Sequence, residues 1–138
     1  MIMERKLLSE SAARPHPMDC GQMPGSLELA YLGDTLYDLY VRSRLVPENA
    51  RMKRMHRAAA AQVNAAAQSE ALGRIEPLLT EAERDVVRRA RNAHQSPPRH
   101  ADPKDYHRAT GFEALLGHLY LTGQVARLDE LMRAALER

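Results

Sequence analysis

Between Pro24 and Pro47 the chain runs without a helix breaker, opening on a Gly25-Ser26 stop-and-cap signal and continuing from Leu27 to about Val46. On a helical wheel Leu29, Leu32, Leu36 and Leu39 form one apolar stripe. Tyr31, Tyr37, Val41 and Leu45 form a second stripe nearly opposite the first. A helix that is apolar on two sides has to be covered on two sides, which excludes a simple surface helix. Asp34 and Asp38, four residues apart, fall within the second stripe. Carboxylates among tyrosines and aliphatics are costly without a cation, a metal or a hydrogen-bond donor, so at least one of them requires such a partner.

The rest of the chain agrees with a helical fold. It carries 21 Ala and 18 Leu against 6 Val and 2 Ile, a balance that favours helix over pleated sheet. A length of 138 residues is the size of one domain with one core. No run approaches the roughly 18 consecutive apolar residues that span a bilayer, so membrane insertion and secretion are not expected. The single cysteine, Cys20, can form neither an internal disulfide nor a zinc knuckle, which points to the reducing cytoplasm.

Residues 1–24, with Pro15, Pro17 and Pro24 and no sustained periodicity, read as a flexible extension ahead of a folded domain over 25–138. His16 and Cys20 share helical spacing, but two ligands among prolines make a poor metal site. An alanine-rich segment from about Arg51 through Ala71 offers a small-side-chain face for another backbone. Thr80 with Glu83 is a capping box opening a helix to about Ala93. Pro97, Pro98 and Pro103 enforce a loop, Asp105 can cap a helix over Tyr106–Thr122, Gly123 breaks it, and Gln124–Glu137 makes a last amphipathic helix.

Charge is placed unevenly, although the net value is only +2. From Ala50 to Ser69 there is no carboxylate, while Arg51, Lys53, Arg54 and Arg57 crowd its first part. Between Arg84 and Arg108 seven cations face three aspartates, with Arg84, Arg88 and Arg91 on one helix face. Such surfaces suit phosphate backbones, and equally they suit solvated helix faces.

In the Tyr106 helix the core stripe is Phe112, Leu115, Leu116 and Leu119, with Glu113 at its edge. Gly117, one turn on, is unfavourable inside a helix unless something approaches closely. Gly33 stands beside Asp34 in the same way. Two helices, each with a semi-buried acid and a nearby glycine, could therefore bring Asp34 and Glu113 together. Without histidine or cysteine clusters nearby, an oxygen-ligated Mg²⁺ or Mn²⁺ suits such a pair, with salt-bridged structural acids as the competing account.

The segment from Leu29 to Arg42, LAYLGDTLYDLYVR, resembles the signature helix of the ribonuclease III family, in particular its Mini-III branch. Tyr106 to Gly123, YHRATGFEALLGHLYLTG, is similar to that branch's second acidic helix. Arg88 to Ala93, RRARNA, is similar to its arginine-asparagine motif, with Ala90 where glycine is usual. The resemblance implies an all-α helical bundle, dimeric, without a separate double-stranded RNA-binding domain, that cuts double-stranded RNA with Mg²⁺, Mn²⁺ being a substitute. It makes Asp34 and Glu113 the catalytic, metal-binding acids. Ala30 and Thr110 stand where the full-length family carries a glutamate and an aspartate. It assigns Arg51, Lys53, Arg54, Arg57, Arg84, Arg88, Arg91 and Asn92 to RNA, and Tyr31, Tyr37, Val41 and Leu45 to a two-fold homodimer interface. The substrate implied is the precursor of large-subunit ribosomal RNA, 23S, trimmed at its paired ends. A catalytically silent duplex-RNA-binding or ribosome-associated module, and a helical adaptor with solvated basic faces, are the alternatives.

Overall fold

The structure is a computed structural model and describes residues 24–48, 51–93 and 95–137. The extension over 1–23, with His16 and Cys20, lies outside them. Among the described residues there are helices and turns but no strand. The order is α1 (Ser26–Leu45), a 3₁₀ turn (Val46–Glu48), α2 (Met52–Val63), α3 (Ala65–Ile75), a second 3₁₀ turn (Glu76–Leu78), α4 (Glu81–Arg91), α5 (Pro103–Leu121) and α6 (Val125–Leu136). None of these helices is long and apolar enough to cross a membrane.

Helix α5 is the axle of the bundle and packs against α1, α3, α4 and α6. From Ala109 to Tyr120 every residue is buried except Glu113 and His118, which are half-buried. A helix covered almost all round has no strong apolar face, because neighbours supply cover in every direction. Phe112 meets Tyr37 of α1 edge to face, with ring centroids 5.2 Å apart, and Leu72, Ile75, Leu128, Leu131 and Met132 complete the core.

The crossing of α1 and α5 is set by two glycines. A Cβ on Gly33 would lie 1.7 Å from the carbonyl oxygen of Glu113, and one on Gly117 would lie 2.1 Å from that of Leu29. No side chain fits at either point. Residue 33 opposes 113 while 29 opposes 117, so the helices run in opposite directions with their backbones in contact.

Three of the four residues assigned to a subunit interface belong instead to the interior of the single chain. Tyr37 and Val41 are 1% and 0% exposed, and Leu45 is also buried. The two stripes of α1 merge through Ala30 and Gly33 into one broad buried arc, which α2 and α5 cover from within the same chain. Tyr31 alone of the four remains outside, 84% exposed.

Local chemistry explains the other boundaries. The alanine-rich segment is two helices, because Asn64 turns extended (ψ 164°) and its side chain accepts from the Ala67 amide at 2.8 Å, capping α3. Helix α5 starts three residues before Tyr106, since Asp102, not Asp105, accepts from Lys104 N and Pro103 takes the first helical position. The Thr80–Glu83 capping box forms with both bonds, 3.2 and 2.9 Å, and Gly123 ends α5 at φ +77°.

Candidate active site

Where α1 and α5 touch, they open a cleft of about 390 Å³ toward the ends of α2 and α3. Leu27, Ala30, Tyr31 and Asp34 come from α1, Val63 from the end of α2, Ala65 and Gln68 from α3, Gln95 from the loop between α4 and α5, and Tyr106, Ala109, Thr110 and Glu113 from α5. The structure thus brings Asp34 and Glu113 to one solvent-open cleft, as the glycine positions led one to expect. Gly33 fixes the height of Asp34 against Glu113, because it seats directly on the Glu113 backbone.

The two carboxyl groups are neighbours in the cleft and influence each other's ionisation. Burial, then the neighbouring Asp34 carboxyl and its charge, push Glu113 up to about 8, and the nearby Gln68 amide works the other way. Near neutral pH Glu113 therefore keeps a proton, since two facing anions need either a proton or a cation between them. Asp38, the second acid of α1, is paired with Arg42 at 2.9 Å and plays no part in the cleft.

Ala30 and Thr110 line the same cleft beside the two acids, and the Thr110 hydroxyl donates to its own helix at Tyr106 O, 3.0 Å away. The places of the two further acids are thus filled by a methyl group and a self-satisfied hydroxyl. Among the described residues no group of three or more His, Cys, Asp and Glu converges. A hard divalent ion still fits the two carboxylates, and the cleft wall around them is polar, carrying the buried oxygen atoms of Gln68 and Gln95, which lack hydrogen-bond partners. Both glutamines were missed in the sequence. For Gln68 the signal is available, because it shares the buried face of α3 with Ala71, Leu72 and Ile75 and is a polar residue where an apolar one is expected.

The basic residues sit elsewhere. The acidic cleft has no lysine or arginine among its described lining residues. Arg84, Arg88 and Arg91 line a separate groove of about 420 Å³ with Glu76, Pro77, Leu79 and Val87. There Arg88 pairs with Asp85, and Arg84 donates to Glu76 O at 3.2 Å. Asn92 is exposed at the end of α4. Arg51, Lys53, Arg54 and Arg57 are exposed along α2 and make no ion pair among the described residues. Arg108, from the same basic stretch of sequence, is half-buried and binds Ser69 and Glu76.

A family model described as "Ribonuclease III domain" matches residues 27–124, from the start of α1 to the end of α5. The chain belongs to the ribonuclease III family. Its Mini-III branch is shown by curated relatives named Mini-ribonuclease 3. That from Symbiobacterium thermophilum is 50% identical over 113 residues, covering 80% of this chain and 87% of the relative. The one from Synechocystis is 42% identical over 125 residues, covering 91% and 87%. A crystal structure of a protein from Fusobacterium nucleatum superposes with a TM-score of 0.76 at 28% identity, covering 81% of this chain and 93% of that one. As a member of the ribonuclease III family the chain is an endoribonuclease with an all-α fold.

Proposed function

We propose that this endoribonuclease cleaves double-stranded RNA at the Asp34–Glu113 cleft with the help of Mg²⁺ or Mn²⁺. The observation that carries the reading is the convergence of these two acids, 79 positions apart in the chain, where the backbone of α1 at Gly33 touches that of α5 at Glu113. Asp34 and Glu113 would hold the ion. Once bound, such an ion lowers the pKa of a coordinated water and neutralises charge on a phosphodiester undergoing in-line displacement. Glu113 would give up its proton to make room for it. Asp34 and Glu113 would supply two ligands and leave the others to water and phosphate oxygens, the ordinary situation for Mg²⁺.

The exposed cations of α2 and the arginines of α4, with Asn92, would track the phosphate backbone. Recognition of A-form duplex would then be by shape and charge, since its deep, narrow major groove hides the base edges. The substrate proposed is the paired ends of the large-subunit ribosomal RNA precursor, in the cytoplasm. The protein would act as a homodimer, one cleft per strand, with exposed Tyr31 and Leu27 at the mouth of the cleft available to a second copy.

Incubation of the purified protein with a plain RNA duplex, with and without Mg²⁺, tests the core of this reading. Cleavage that requires Mg²⁺ and vanishes in Asp34→Asn and Glu113→Gln is expected. Undiminished cleavage by either variant removes the site. Cutting of the ribosomal precursor at its paired ends, in preference to an unrelated duplex, tests the substrate.

A further inference from the structure

Gln68 is only 2% exposed, on the face of α3 that carries Ala71, Leu72 and Ile75 into the core. Its Nε2 donates to Val63 O at 2.9 Å, the last residue of α2, where the break at Asn64 leaves a helix-end carbonyl without its usual partner. The same side chain lines the cleft together with Glu113 and Asp34, and its amide favours the ionised form of Glu113. Its Oε1 is buried with no partner. A side chain serving only to fill the core would not be a carboxamide with half its hydrogen-bonding capacity unmet, because a buried unsatisfied acceptor is destabilising and an apolar residue of equal length avoids it. What the carboxamide does, and an apolar group cannot, is offer Glu113 a polar neighbour in the same cleft, held at a fixed point. That point is anchored at two helix ends and shielded from solvent.

We propose that Gln68 is the positioning residue of the acid pair: held by Val63 O, its amide sets the orientation of the Glu113 carboxylate so that Glu113 and Asp34 can share a hard cation. This rests on the reading of those acids as a cation site. Groups that orient metal ligands without touching the metal change affinity by 10–100-fold when removed, which makes the role measurable without any RNA present.

The test is Mn²⁺ binding to the full chain, followed by calorimetry and by the electron paramagnetic resonance of free Mn²⁺. Gln68→Met keeps the length and volume of the side chain and removes the amide. It is expected to retain helicity and the metal-free melting temperature, and to bind Mn²⁺ at least tenfold more weakly. The Mg²⁺ concentration for half-maximal cleavage should rise by a similar factor, with cleavage largely recovered at saturating Mg²⁺. Affinity within twofold of the parent overturns the proposal. So does cleavage that falls equally at all Mg²⁺ concentrations, which is the pattern of a merely structural role. Should Gln68→Met lose helicity, Gln68→Asn takes its place, since it keeps an amide that is one methylene too short to reach Glu113. The same loss of affinity is expected there, and parental affinity in that folded variant overturns the proposal. Asp34→Asn is the reference: if it binds Mn²⁺ like the parent, the cation-site reading itself fails, whereas loss in Asp34→Asn without loss at Gln68 refutes only the role of Gln68.

Discussion

Glu113 holds its proton to about pH 8, chiefly because it is buried and then because Asp34 faces it. A carboxyl group whose folded pKa is raised contributes stability that is complete below its ordinary value of 4.5 and lost as pH rises through the folded value. The metal-free protein should therefore lose stability between about pH 5 and pH 8, and Glu113→Gln should flatten that slope; thermal melts across this range in chelator measure both. For the same reason cation binding should tighten with rising pH and release a proton, seen as a dependence of calorimetric heat on buffer ionisation enthalpy. Gly33→Ala would drive a methyl group into the Glu113 carbonyl, so it should destabilise the fold by about 3 kcal/mol or more in urea titration. At this scale the sequence was informative about backbone contact. Gly33, beside Asp34, and Gly117, one turn after Glu113, each sit where a helix former is expected, and that anomaly predicts the approach. It was silent on Gln68 because a lone glutamine among alanines carries no charge and joins no recognised motif, although its register with Leu72 and Ile75 betrays its burial.

Among the elements, α4 combines two jobs. Its N-terminus is tied by the Thr80–Glu83 capping box, and Thr80→Ala should cost about 1 kcal/mol. Glu83 also receives Arg127 of α6 at 2.8 and 2.9 Å, and that hydrogen bonding holds its carboxyl below the usual carboxylate range in spite of burial. Stability from a lowered carboxylate is present above its ordinary pKa and lost as pH falls through the folded value. Glu83→Gln should accordingly remove part of the acid limb of the stability profile below about pH 4.5, read by circular dichroism. The C-terminal half presents Arg88 and Arg91, and replacing both with alanine should weaken duplex RNA binding and reduce the slope of log affinity against log salt by about 2. An unchanged slope would leave these arginines as solvated surface. The helices themselves were legible from periodicity and caps. The break at Asn64 and the start at Pro103 were not, because each is decided by a capping side chain meeting a free amide, Asn64 at Ala67 and Asp102 instead of Asp105 at Lys104.

For the molecule as a whole, the double stripe of α1 showed that both sides are covered but not by what. A wheel cannot tell a neighbouring helix of the same chain from a second copy, and for Tyr37, Val41 and Leu45 the cover is α2 and α5 of the same chain, not a subunit interface. What remains outside is Tyr31, with Leu27, Leu39, Val46 and Met52 also exposed. Light scattering at micromolar concentration should report a dimer, and Tyr31→Ser should shift it toward monomer without lowering the helical content. A monomer in the parent would remove the two-cleft arrangement.

The seam at Gly33 and Gly117 ties the fold's tightest joint to its acidic cleft. Loosening by heat, by denaturant or by a distant cavity would pull the facing carboxyl groups apart as soon as the two backbones separate. Inactivation on warming should thus coincide with the cooperative melt instead of preceding it, leaving no temperature window in which an intact bundle is idle.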